Sequence, residues 1–216
     1  PVQDSSTQRP ITLRTSTGLE IVADALIAAP GAWLSDFAAR HLRIDIPTRV
    51  TAELVSYHDA PPTYSIADKM PVFVARVSNG FPNPFGYYGI PRVDVPGVKV
   101  SAHHCGEHVN AHAAGAVDSR PWSKPGDPPP AWDAAHAGEV LRANQAFVRR
   151  FWGGGVVDPE PVATQHCLYT ATPDQDYVLG PLPDTPNVVL CGGGSGHAFK
   201  NGPAIGAAAA DLALGR

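Results

Sequence analysis

Toward its C-terminal end the chain reads Asn187-Val188-Val189-Leu190-Cys191-Gly192-Gly193-Gly194-Ser195-Gly196-His197-Ala198-Phe199-Lys200. The first five residues form a short, mostly apolar run of strand length, and the glycines that follow end it. A helix then runs to about Leu214. Small residues after a buried strand let backbone come close to a ligand, and a following helix aims its first N–H groups at the same spot. The stretch is either a site for negative charge or a tight strand-to-helix turn that holds nothing. Three named motifs fail in it. The dinucleotide fingerprint G-x-G-x-x-G begun at Gly192 and a nucleophile elbow centred on Ser195 both meet His197 where they need glycine. A phosphate loop needs Lys after its last Gly and then Ser or Thr, which Lys200-Asn201 does not supply.

The same strand, glycine and helix grammar opens the chain. Residues 12–14 and 19–23 flank Ser16-Thr17-Gly18 as a hairpin. Residues 25–29 are wholly apolar, the pattern of a strand buried on both faces, and lead through Pro30-Gly31-Ala32-Trp33 into a short helix to about Arg40. Between the two ends the texture changes. Strand-like runs at 49–57, 72–77, 85–90 and 98–103 alternate with Pro, Asn and Gly turns, which predicts an antiparallel sheet. The proline-dense residues 121–130 read as a loop. Residues 131–152 read as an amphipathic helix carrying Val140, Leu141, Phe147, Val148 and Phe151, stopped by Gly153-Gly154-Gly155. The expected architecture is α+β in two layers. Residues 10–45 and 160–216 supply α/β elements, and residues 46–159 form an inserted antiparallel-sheet domain. That organisation predicts a site at the domain interface.

Composition narrows the function. With 44% hydrophobic and 17% charged residues, the 216-residue chain can build a sizeable core, and its 21 Gly and 23 Pro imply many turns. A net charge of -4 gives no electrostatic case for nucleic acid or an anionic membrane surface. No apolar stretch approaches the roughly 20 residues of a membrane span. Three cysteines, Cys105, Cys167 and Cys191, are too few and too odd for a disulfide framework, which points to a reducing, cytoplasmic compartment. The chain opens at Pro1 in a polar segment, as a fragment or a processed piece would.

Three clusters could carry chemistry. Val98-Lys99-Val100-Ser101-Ala102-His103 alternates with period two, so Lys99, Ser101 and His103 share one face of a strand. Such a face is either the polar floor of a pocket or an ordinary solvated surface. His103, His104, Cys105, Glu107, His108 and His112 are a dense set of metal-ligand types, but no paired spacing elsewhere completes a site. Cys167 stands alone in Thr164-Gln165-His166-Cys167-Leu168-Tyr169-Thr170, where a small buried hydrophobe is its ordinary role.

Taken in order, these segments resemble the monomeric sarcosine oxidase and N-methyltryptophan oxidase family. The matching residues are Gly31-Ala32-Trp33, Tyr87-Tyr88-Gly89-Ile90-Pro91, Lys99 with His103, Cys167-Leu168-Tyr169-Thr170, and Ser195-Gly196-His197-Ala198-Phe199-Lys200. The resemblance covers nearly the whole chain after its first ten residues, and it implies FAD as cofactor. It implies that Cys167 joins the flavin covalently through the 8α-methyl, and that Gly193, Gly194, Ser195, Gly196 and His197 lie against the pyrimidine end of the ring. Lys200 would help bind the substrate carboxylate, with Tyr88 and His103 lining the substrate pocket. Lys99 would promote reaction with dioxygen. The activity implied is oxidation of a small N-alkyl or cyclic amino acid to an imine, with release of hydrogen peroxide.

The family's opening strand, G-x-G-x-x-G and helix have no counterpart in residues 1–35. The expectation is therefore that this chain requires an N-terminal FAD-binding segment and by itself neither retains FAD well nor turns over. The alternatives are a non-catalytic protein and a metal-binding one using the His103 to His112 cluster.

Overall fold

The computed structural model describes residues 9–77, 86–93, 97–109, 134–152 and 157–216. In chain order the strands are β1 (Ile11–Arg14), β2 (Glu20–Ala23), β3 (Leu26–Ala28), β4 (Arg49–His58), β5 (Phe73–Ala75), β6 (Tyr87–Ile90), β7 (Val98–Ala102), β8 (Glu107–His108), β9 (Pro161–Ala171), β10 (Val178–Leu182) and β11 (Thr185–Gly192). The helices are α1 (Leu34–Phe37), α2 (Ala134–Phe151) and α3 (Gly202–Ala213). The mixture is α+β, as the sequence pattern implies. Residues 1–49 with 170–216 form one compact unit and residues 50–169 a second. Sequence texture moves the second cut to 159/160 because it does not register β9, most of which lies in the 50–169 unit and pairs with β4.

In the 50–169 unit the sheet has the order β5-β6-β7-β4-β8, with β9 also paired to β4. Its two faces differ. One carries Leu54, Tyr87, Val98, Val100 and Ala102 against Val140, Ala143, Phe147 and Val148 of α2, all buried. Those helical positions recur at three- and four-residue steps, so a single stripe of α2 meets the sheet. The stripe includes Asn144, which is 0% exposed: its Oδ1 accepts the Ala102 N–H at 2.8 Å, and its Nδ2 donates to Ser56 Oγ at 3.2 Å. Phe151, assigned to the stripe from sequence, is 45% exposed because it lies at the end of the helix. The proline-dense loop, the triple glycine, Phe85 and residues 131–133 lie outside the described residues.

The other unit opens with the expected hairpin, β1 antiparallel to β2, its turn closed by Gly18 at φ 84°. Strands β10 and β11 are antiparallel, and β3 runs parallel to β11 through Val188↔Leu26, Val189↔Ile27 and Leu190↔Ala28. Helix α3 packs against all three strands. Ala28, Leu34 and Leu190 form the buried centre of this unit. The reading of 25–29 as buried on both faces is corrected, since Ile27 is 43% exposed. The physical reason is position: β3 is an edge strand of its three-stranded sheet.

Candidate functional site

The second face of the inserted sheet carries most of the chemistry. Register places Tyr57 opposite Lys99, and Tyr88 opposite Ser101, so the four side chains project from the same side of β4, β7 and β6. This overturns the reading of that face as solvated, because Tyr57 is 5% and Ser101 1% exposed. Lys99 Nζ stands 5.7 Å from the centre of the Tyr88 ring. β7 ends at Ala102, so His103 belongs to the turn after the strand rather than to the strand itself. Its ring meets Tyr88 edge-on at 5.5 Å, and its Nδ1 lies 3.2 Å from the Tyr169 hydroxyl. His104, at φ 54°, meets His103 edge-on at 4.3 Å and Tyr169 edge-on at 5.2 Å.

Cys167 and Tyr169 come from β9, two residues apart and hence on one face. Cys167 and Lys99 act on each other electrostatically. Burial pushes the Cys167 thiol up, Lys99 opposes that rise, and Glu53 adds to it. Burial pushes the Lys99 ammonium down, and Cys167 opposes that fall. Burial thus works against charge on both groups, and their mutual attraction offsets part of it. The phenols are held neutral. Desolvation pushes Tyr57 and Tyr88 up to about 12 and raises Tyr169 further. Tyr88 is also hydrogen-bonded to the Tyr169 and Ser101 side chains, and the Tyr57 hydroxyl donates to Gln165 Oε1 at 2.9 Å. The cluster is thus a set of neutral donors around one cation and one thiol.

The glycine turn lies in the other unit. Gly193, Ser195 and Gly196 have φ of 63°, 47° and 75°, the left-handed region that glycine enters without steric cost. A Cβ on Gly193 would stand 2.8 Å from Thr172 Cγ2, which explains why a bare backbone is required there. Ser195 is 0% exposed; its N–H donates to Thr170 O at 2.9 Å and its hydroxyl to Gly193 O at 3.0 Å. The expectation that a helix starts directly from this turn is corrected. Residues Phe199–Asn201 form a 3-10 turn and α3 begins only at Gly202, because His197 and Ala198 N–H bond back to Gly194 O. His197 uses both ring nitrogens internally. Nε2 donates to Gln175 O at 2.9 Å, which leaves Nδ1 to accept from the Tyr177 hydroxyl at 2.7 Å. Its imidazole is a clasp for the turn, and its backbone is also held internally, the N–H by Gly194 O and the carbonyl by Lys200 and Tyr177. Lys200 is exposed and donates to His197 O at 3.0 Å.

The structure thus brings together Tyr88, Lys99, His103 and Cys167 in one unit, and Gly193 to His197 with Lys200 in the other. Sequence reasoning gave no pocket role to Tyr169, His104, Tyr57 or Glu53, placing His104 only among the metal-ligand types and Tyr169 only within a matching motif. Tyr169 was accessible from the period-two rule applied to Cys167, whereas the others depend on pairings far apart in the chain. Among the described residues no group of three or more His, Cys, Asp or Glu side chains is arranged to hold a metal ion. His112 lies outside those residues.

Comparison with known proteins identifies the family. The FAD dependent oxidoreductase family matches residues 1–212. A probable sarcosine oxidase of Arabidopsis thaliana is 30% identical over 98% of this chain and 46% of its own length. The monomeric sarcosine oxidase of a Bacillus strain is 27% identical over 99% and 49%, respectively. The N-methyl-L-tryptophan oxidase of Salmonella typhi is 28% identical over 95% and 47%. The chain therefore spans about half the length of the curated relatives it matches. In fold, it is similar to NikD, an amino acid oxidase of nikkomycin biosynthesis, with a TM-score of 0.67 at 20% identity over 95% of this chain and 48% of that one. It is also similar to the iminodiacetate oxidase of a Chelativorans strain, with a TM-score of 0.63 at 20% identity over 95% and 46%. With its motifs in order, its sheet and turn in place and 212 residues matched, the chain belongs to the FAD dependent oxidoreductase family.

Proposed function

We propose that the chain is the substrate-facing part of a flavin-dependent oxidase of small secondary amino acids. The residues present fit a flavin. The 50–169 unit carries a half-buried thiol beside a lysine and neutral phenols, and the other unit, taken by itself, carries a glycine-rich turn with left-handed backbone at Gly193, Ser195 and Gly196. When bound, FAD supplies the two-electron acceptor for an amine C–H bond and passes those electrons to dioxygen, giving hydrogen peroxide.

The chain's own residues supply attachment, position and charge. Cys167 is the attachment point. Lys99, held in a desolvated pocket, supplies a fixed positive charge where negative charge develops as dioxygen is reduced. Tyr88 and Tyr169 stay protonated across the physiological range and so act as donors, while Tyr169 orients His103. Lys200, exposed on its turn, can exchange a backbone carbonyl for a substrate carboxylate. The backbone of the glycine turn at 192–196 would hold the pyrimidine end of the ring.

The observation that carries this reading is the meeting of Lys99 and Cys167 in one half-buried cluster with Tyr88 and His103. Acid denaturation of the intact protein tests it. Flavin absorbance and the matching mass increment should stay with the polypeptide, be lost in Cys167→Ser, and accompany peroxide release from sarcosine or pipecolate. Flavin retained equally by Cys167→Ser would overturn the attachment. No peroxide from any N-alkyl or cyclic amino acid would overturn the substrate class.

A further inference from the structure

Glu53 is a buried carboxylate that the proposed reaction does not use. It lies on β4, 1% exposed, on the side of the strand shared with Val55 and Tyr57. Burying a carboxylate is costly unless donors surround it, and here three do. Thr51 Oγ1 donates to Oε1 at 2.6 Å, and the N–H groups of Cys105 and Gly106 both donate to Oε2, at 3.1 and 2.9 Å. From α2, His136 Nε2 donates to the Cys105 carbonyl at 2.7 Å. The peptide joining Cys105 to Gly106 is therefore gripped at both polar ends, its N–H from the sheet and its C=O from the helix. It also lies flat on β4: a Cβ on Gly106 would stand 2.3 Å from Ala52 O and 2.8 Å from Glu53 Cδ.

What this clamp holds is the turn that carries His103 and His104. Upstream, the Ala102 N–H is fixed by Asn144 Oδ1 at 2.8 Å. Downstream, Glu53 and His136 fix residues 105 and 106. Only two residues lie between these anchors, and one of them, His104, sits at φ 54°, a conformation that costs a non-glycine residue energy unless its surroundings hold it. The rings of His103 and His104 thereby come to rest on Tyr169, and that of His103 also on Tyr88.

We infer that Glu53 is a positioning residue: by accepting the Cys105 and Gly106 N–H groups it sets the 103–106 turn and, through it, the His103 imidazole. The inference rests on the proposed role of His103 as a pocket residue. Glutamine can replace the carboxylate in geometry. Its carbonyl oxygen can take both backbone N–H groups, and its amide can donate to Thr51 Oγ1, whereas alanine leaves both amides without an acceptor.

The test uses the intact protein with histidine-selective isotope labelling, and sarcosine as the substrate probe. In the unmodified protein the Cys105 and Gly106 amides should exchange with solvent as slowly as those of central β4. Rapid exchange of both overturns the clamp without any variant having to fold. The ring resonances of His103 should move in Glu53→Ala and return in Glu53→Gln. In parallel, kcat/KM for sarcosine should fall by roughly a hundredfold in Glu53→Ala, as misplacing a pocket group does, and recover in Glu53→Gln. Unmoved His103 resonances in Glu53→Ala, or equal shifts in both variants, overturn the inference. If the resonances behave as stated but His103→Ala oxidises sarcosine at full rate, the clamp is upheld and the pocket role of His103 is what fails.

Discussion

At Lys99 and Cys167, burial works against charge on both partners while their mutual attraction works for it. In flavin-free protein Cys167 should therefore alkylate more slowly at neutral pH than an ordinary cysteine, since burial keeps its thiol protonated. Lys99→Met should slow it further by removing the cation that opposes that rise. Iodoacetamide rates measured against pH read both effects, and a faster reaction in Lys99→Met contradicts the account. The common face of Lys99 and Ser101 was legible in the sequence because strand alternation is local, whereas His103 lies in the turn beyond the strand. Whether that face was wet was not legible. The answer lies in Tyr57 and Tyr88 on the neighbouring strands and in Tyr169, which is 66 positions from His103. Glu53 was invisible for the same reason: two of its partners are 52 and 53 residues away.

Among the elements, α2 shows what periodicity can and cannot deliver. Its stripe predicts Val140, Phe147 and Val148 as core, and all three are buried. Phe147 stacks on Tyr87 at 4.5 Å and on Phe73 at 6.0 Å, so it joins the helix to two strands. Phe147→Ala should destabilise the protein by about 3–5 kcal/mol, the cost of emptying an aromatic site in a packed core. Urea unfolding followed by far-UV circular dichroism measures it, and a loss under 1 kcal/mol would place the ring outside the core. A polar residue such as Asn144 breaks the apolar pattern. Its place in the stripe follows from the Ala102 N–H, which needs an acceptor on the helix side of the sheet. Strand β9 escaped the pattern because its residues are mostly half-buried and its sequence does not alternate cleanly.

For the whole molecule, two imidazoles kept neutral in the folded 50–169 unit predict sensitivity to acid. His58 is 0% exposed, with Nδ1 donating to Asp158 O at 3.0 Å and Nε2 lying 2.9 Å from Ser56 Oγ. Burial pushes it down, and burial pushes His166 down to about 4. A lowered folded value means that the unfolded chain binds the proton more tightly, so stability rises with pH. The contribution of His166 is fully present above its unfolded value of 6.5 and is lost as pH falls toward about 4. Glu53, raised by burial, acts in the opposite sense. Its contribution is full below 4.5 and fades as pH rises through its folded value. Urea midpoints at pH 7.5 and 4.5 compared between the parent and His166→Phe separate the two. The variant should lose less stability on acidification, and an unchanged pH dependence would remove His166 from the explanation.

The amino-acid order by itself determined what is local: the hairpin with Gly18 at its turn, the strand and glycine turn at 187–196, the α2 stripe, and the succession of motifs that marks the family. Each depends on neighbours within a few positions, where backbone geometry and side-chain period act directly. Tertiary structure alone decided which face of β7 is dry, that β3 lies at an edge with Ile27 showing, that β9 joins the inserted sheet, and that Glu53 holds the histidine turn. These follow from strand pairings and burial between segments distant in the chain, which are set by the collective removal of apolar surface from water and have no local signature.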